Sequence, residues 1–143
     1  MSKFTDWVYY SAAFVNTVGV LIFTKCLTNQ DLMTTDPTLF SRFGLLMVMI
    51  WGLCYFASRQ VAQSQASISL VFALEKLAYF VAWIGFIQGP VDWERLYQSD
   101  LFAGLFYSIY GLVDGTYMLL FVYCAYGAYS VSEQNDKLDK SIL

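Results

Sequence analysis

Histidine is absent from this 143-residue sequence, and charge is scarce, at 13% of residues. Without imidazole there is no haem ligation through histidine, no histidine general base, no Ser–His triad and little scope for a zinc site. The three cysteines, Cys26, Cys54 and Cys124, lie far apart and form no CxxC pair. That leaves no redox motif and no closed metal set, and reads each thiol as a small apolar side chain. Eight basic residues against eleven acidic ones give a net charge of -3 and no basic stripe. Nucleic acid is therefore excluded as a partner.

What is abundant is apolar surface: 58% of residues are hydrophobic and 19% aromatic. A soluble domain is roughly 45–50% apolar and about 25% charged, and a chain this small needs a large polar surface. The class is integral membrane, with the lipid bilayer as solvent. No catalytic residue, cofactor or metal ligand stands out, and an enzyme is the less favoured class.

A hydrocarbon core about 30 Å thick takes about 20 apolar residues in a helix. Segments 5–25, 37–58, 67–89 and 101–130 qualify, so the expected fold is all-α, a four-helix transmembrane bundle in one domain spanning 1–143. The first segment is too long for a signal-peptide core, and Asp6 weakens a basic n-region, so it reads as a retained span. No Asn-x-Ser/Thr sequon and no lipidation signal occur. Thr28–Asp31 reads as a polar stretch, and Asp36 followed by Pro37 reads as a cap with proline at the first helical position.

The short polar turn 60–66 predicts that the second and third helices are antiparallel neighbours. Trp93, Leu96 and Tyr97 recur at i, i+3, i+4, as in a short interfacial helix. The fourth segment exceeds a bilayer's thickness, with Tyr123, Tyr126 and Tyr129 at its end as an aromatic belt and 131–143 as a polar, solvated tail. Lys3, Arg59, Lys137 and Lys140 fall on one side, and Lys25, Arg42 and Arg95 on the other, which puts both termini in the cytoplasm.

Three ionisable residues lie deep inside apolar runs: Glu75 and Lys76 in the third segment and Asp114 in the fourth. At 1.5 Å per residue, Glu75 is about 21 Å from Gly89 and Asp114 about 20 Å from Leu101, which brings them to one depth near the midplane. Asn16 falls at a similar level in the first segment. An intramembrane charge costs about 2.5–3.5 kcal/mol on insertion scales unless paired or hydrated. Lys76 can answer one carboxylate. One negative charge remains for a proton, a cation, an amine or water.

Tyr79 shares the helical face of Glu75 and Lys76, and Tyr110 and Tyr117 share that of Asp114. Their hydroxyls and rings suit a cationic or small apolar ligand. Ala12, Ala13, Asn16, Gly19 and Val20 on the first helix, and Gly44, Val48, Gly52 and Tyr55 on the second, form faces for close packing.

Asn16, Glu75, Lys76, Tyr79, Tyr110, Asp114 and Tyr117 thus form a candidate binding site for a small-ligand- or proton-linked binding or transport component. The same residues equally suit polar glue that fixes helix register in a structural or accessory subunit, or a contact with another copy or another membrane protein. A lipid-modifying enzyme using Glu75 and Asp114 as acid and base is the outlying reading.

Gly52-Leu53-Cys54-Tyr55, Ala73-Leu74-Glu75-Lys76-Leu77 and Gly111-Leu112-Val113-Asp114 resemble motifs of small, DoxX-like four-helix bacterial membrane proteins. The likeness runs from Leu45 to Tyr126. It implies a bacterial inner membrane, a signature pair of Lys76 with Asp114 and Tyr55 as its third member. Glu75 lies outside that pattern, and no catalytic residue carries over. Other four-span families lack their marks here: the paired cysteines of quinone-reducing disulfide formers, and the first-helix glutamate of small multidrug exporters, where this chain has Asn16. The buried acids of the sterol-isomerase group offer an analogy only.

Overall fold

A computed structural model describes the backbone of residues 2–142 and the side chains of 3–132, and every regular element in it is helical. The first helix runs as α1 (Ser2–Phe14), a π-helical segment (Val15–Gly19) and α2 (Val20–Phe23). Two short helices follow, α3 (Gln30–Thr35) and α4 (Pro37–Phe40), then α5 (Arg42–Ser58), a 3₁₀ turn (Val61–Gln63) and α6 (Ala66–Gln88). Last come α7 (Trp93–Ser99) and the long α8 (Leu101–Ile142).

The caps explain the breaks. Asn29 accepts from the Leu32 N–H and starts α3 inside what the composition presented as a polar stretch. Asp36 accepts from Leu39 N–H at 3.2 Å and starts α4 with Pro37 at its first position, as expected. Segment 37–58 is not one helix, however. Ser41 turns extended (φ -54°, ψ 165°) and caps α5 through the Gly44 N–H at 3.2 Å. A serine before an arginine gave no proline or glycine to mark that break.

Asp92 caps α7, the short helix that Trp93, Leu96 and Tyr97 announce. α8 runs unbroken through 131–142, so the polar tail continues the helix in its backbone. The side chains of 133–143, and with them the solvation expected of that tail, lie outside the described residues.

At the end of α2, Lys25, Cys26 and Leu27 all take positive φ (48°, 57° and 65°). Left-handed backbone costs a non-glycine residue about 1–2 kcal/mol, so this turn needs external support. Thr24 Oγ1 accepts from Leu27 N–H at 3.0 Å, and Lys25 is ion-paired with Asp100 at the start of α8. Asp100 also accepts from Asn29 Nδ2 at 3.0 Å and from Ala103 N–H at 2.9 Å. Burial raises the Asp100 pKa, but the bonds from Lys25, Ala103 and Asn29 outweigh it and hold the carboxyl below its ordinary value. At the opposite end, Gln63 donates to Asp6 at 3.0 Å and ties the α5–α6 turn to α1.

The helices pack in two pairs: α6 lies along α8, and α1 with the π segment lies along α5. α5 and α6, which the short turn joins, also touch, but through large side chains at a wider backbone spacing. Glycines decide the pairing. A Cβ on Gly111 of α8 would sit 2.1 Å from the Trp83 side chain of α6, and one on Gly52 of α5 would sit 2.8 Å from Thr17. Between α5 and α6 there are bulky rings instead, with Tyr55 and Phe72 centroids 4.8 Å apart. Trp83 Nε1 adds a bond to the Tyr107 carbonyl at 2.8 Å.

Two apolar cores result. One gathers Leu32, Phe40, Leu45, Trp83, Phe106 and Tyr107. The other gathers Val8, Tyr9, Ala13, Tyr55, Phe72 and Phe121. Along their helices, Asn16, Glu75, Lys76 and Asp114 fall between the two cores, while Tyr110 belongs to the first. Lys3–Phe23, Ala66–Gln88 and Leu101–Ser132 are long and apolar enough to cross a membrane, while α5 is a shorter apolar helix of 17 residues. Outward faces carry Trp7, Phe43, Leu53, Leu74 and Leu119, each more than half exposed.

Candidate functional site

Asn16 enters the site from the π segment. Thr17 Oγ1 donates back to the Ala13 carbonyl at 2.7 Å, and the Val20 N–H reaches Val15 O, five residues back. Such a bulge re-aims one side chain out of the α-helical rhythm. Asn16 points inward, 3% exposed, with Nδ2 donating to the Val48 carbonyl of α5 at 3.3 Å. That orientation leaves Oδ1 facing the centre of the bundle.

Lys76 supplies the donor. Its Nζ lies 2.7 Å from Asp114 Oδ1 and 3.1 Å from Asn16 Oδ1, joining the first helix, α6 and α8. The lysine is 2% exposed. Glu75 Oε2 is 3.8 Å from the same ammonium, within ion-pair reach but beyond a hydrogen bond. Glu75 is bonded instead by Tyr55 of α5, whose hydroxyl donates to Oε2 at 2.5 Å. The Tyr55 ring also stands 5.5 Å from Lys76 Nζ. Two carboxylates and one ammonium in their ordinary forms sum to one negative charge.

Beside this cluster lies a cavity of about 80 Å³, lined by Asn16, Glu75, Lys76, Tyr79, Tyr110 and Asp114 among apolar neighbours. Glu75 Oε1 and the Tyr110 hydroxyl are buried and without a partner among the described residues. A buried polar group left unpaired costs about 1–3 kcal/mol, so two at one cavity call for an occupant. The volume accommodates a few waters or one small molecule.

Six of the seven residues singled out from the sequence therefore meet at this cavity. Tyr117 does not; its ring packs against Phe121, in the other core. It lies on nearly the same side of α8 as Tyr110 but about 10 Å further along the axis, so depth along the helix rather than face separates it from the cavity. Tyr55 is present, as the motif likeness implied, yet it serves Glu75 rather than the lysine–aspartate pair. The residues that sequence reasoning missed are the apolar lining, including Phe40, Val48, Phe106 and Ile109. Phe106 lies one turn before Tyr110 on the same helical face and was legible by spacing, whereas Ile109 stands about 100° round from Tyr110 and was not. Phe40 enters from α4, which no periodicity revealed.

In comparisons with known proteins, the chain matches no family model, no curated protein and no solved structure.

Proposed function

We infer that this is a polytopic membrane protein, a four-helix transmembrane bundle of the first helix, α4–α5, α6 and α8, whose centre binds a small ligand or a proton. The carrying observation is the unbalanced carboxylate at a cavity: Glu75 Oε1 and the Tyr110 hydroxyl stand buried and unpartnered beside a matched Lys76–Asp114 pair. Ion-paired structure alone accounts for Lys76 and Asp114. It does not account for Glu75. Membrane location is supported by three apolar helices of spanning length and by outward faces of leucine, phenylalanine and tryptophan. The DoxX-like motifs and the basic residues favour a bacterial inner membrane with cytoplasmic termini.

Native mass spectrometry from mild detergent tests the reading by comparing wild type with Asp114→Asn. The expected result is a discrete bound mass in wild type that is lost in the variant while its oligomeric state persists. Bare protein in both contradicts a retained ligand.

A second reading, a structural or accessory subunit, draws on the 2.7 Å Lys76–Asp114 bridge and the Asn16 bond, which together fix the register of three helices. On that reading the exchange Lys76→Asp with Asp114→Lys restores folding and every phenotype. An exchanged protein that folds but has lost ligand favours the first reading.

A further inference from the structure

We propose that the cavity beside Glu75 takes a small lipophilic ammonium, one bearing at least two N–H bonds, which enters sideways from the bilayer between the π segment and α8. The inference rests on the reading of this centre as a binding site and names its ligand class and its door.

Charge selects the class. The Lys76 charge is answered at 2.7 Å by Asp114 and its second bond is taken by Asn16. The charge left unanswered is that of Glu75, a residue that lines the cavity, and its free atom, Oε1, is a buried acceptor. Tyr110 offers a second unpartnered oxygen at the same cavity. A cation with two N–H bonds can donate to both; a quaternary ammonium, with no hydrogen to donate, satisfies neither. The remaining walls decide the ligand's body. Phe40 stands edge-on to Tyr110 at 4.9 Å, with Phe106 stacked on Tyr110 at 5.4 Å, so a cation here meets aromatic faces and its substituent meets apolar surface. At about 80 Å³ the cavity is smaller than the roughly 150 Å³ that houses a benzene ring, so it takes the ammonium end and leaves the substituent at the apolar flank.

Packing selects the door. α8 is met by α1 on one side of the site and by α2 on the other, while the π segment between them packs on α5. The cavity residues in that gap are Val15 and Gly19 on the π segment and Ile109 and Val113 on α8. All four keep solvent-accessible surface, Ile109 being 39% exposed. The route to Glu75 thus passes apolar side chains on an apolar flank. It suits a ligand already dissolved in lipid.

The test is equilibrium dialysis of the full-length protein in lipid nanodiscs against radiolabelled benzylamine, which is cationic at neutral pH, with benzyl alcohol as its uncharged counterpart. Saturable binding of one benzylammonium per chain, about tenfold or more tighter than the alcohol, is expected. Glu75→Gln should remove that advantage, and Tyr110→Phe should weaken binding by about threefold or more. In a rapid-filtration time course on the same nanodiscs, Ile109→Trp should slow association without changing the preference for the cation.

Equal binding of the alcohol overturns the proposal, and so does binding that Glu75→Gln leaves intact. The alcohol comparison needs only wild-type protein, so a variant that fails to fold does not rescue the claim. No benzylammonium binding, with a bound mass still seen in native spectra and lost in Asp114→Asn, overturns this ligand class and leaves the binding reading standing. Absence of both removes both.

Discussion

Tyr107 and Tyr110 lie one turn apart on α8 and are both buried, yet only one hydroxyl is held. Tyr107 donates to the Leu32 carbonyl at 2.8 Å and accepts from the Asp36 N–H at 3.1 Å, while Tyr110 has no partner. Removing a bonded hydroxyl strands its partners, whereas removing a stranded one relieves a cost. Tyr107→Phe should therefore destabilise the protein by about 1–3 kcal/mol, and Tyr110→Phe should leave stability within about 0.5 kcal/mol of wild type. Unfolding followed in mixed micelles checks the pair, and equal losses would mean that the Tyr110 hydroxyl is bonded after all.

Lys76 makes a sharper case. Lys76→Met leaves two buried carboxylates with no cation, a change worth about 3–5 kcal/mol. Adding Asp114→Leu to it removes one of those charges, so the double variant should be more stable than the single. Losses that simply add would show that the lysine and aspartate do not act as a pair.

Elements are spaced by their glycines and tied by their caps. Gly111 lets α6 and α8 touch, since its Cβ would meet Trp83, whereas Gly85 on α6 has nothing within 4 Å. Gly111→Ala should cost about 1–3 kcal/mol through overpacking, while Gly85→Ala should gain about 0.4–1 kcal/mol by stiffening the unfolded chain. Helical signal and unfolding midpoints in micelles read both, and a neutral Gly111→Ala would place the two helices further apart.

The left-handed turn at Lys25–Leu27 depends on Asp100, which lies at the head of α8, outside the apolar run. Because its folded pKa is depressed, its contribution is complete above the unfolded value, about 3.9, and is lost as pH falls through the lower folded value. Amides of residues 24–29 should lose protection, measured against their intrinsic exchange at the same pH, below about pH 4, and Asp100→Asn should abolish that acid step. Protection that is flat with pH in wild type would show the turn to be held by other contacts.

For the whole molecule, the helices themselves were legible because lipid-length apolar runs are the strongest signal a sequence carries. Asn16, Glu75, Lys76 and Asp114 were legible for the same reason, since a charge within such a run has few places to go. What escaped was local and polar. The break at Ser41, the π segment around Asn16 and α3 all arise from side chains bonding nearby backbone, which leaves hydropathy unchanged. Which helices pack most closely escaped too, because a short loop says which helices are near while glycine against tryptophan decides how near.

The central claim is that the Lys76 cluster is buried at the core of a bundle set in lipid, and its depth is measurable from outside. Leu53, Leu74 and Leu112 lie within two residues of Tyr55, Lys76 and Asp114 along the chain and face outward, 61%, 65% and 57% exposed. With Cys26, Cys54 and Cys124 replaced by serine, a spin label placed singly at each of the three leucines can be examined in bilayers by power saturation. The account predicts that oxygen, concentrated in the hydrocarbon, relaxes all three labels, and that a water-soluble nickel chelate relaxes none. Relaxation by the chelate at any of these positions would put the cluster's level in water and contradict the account.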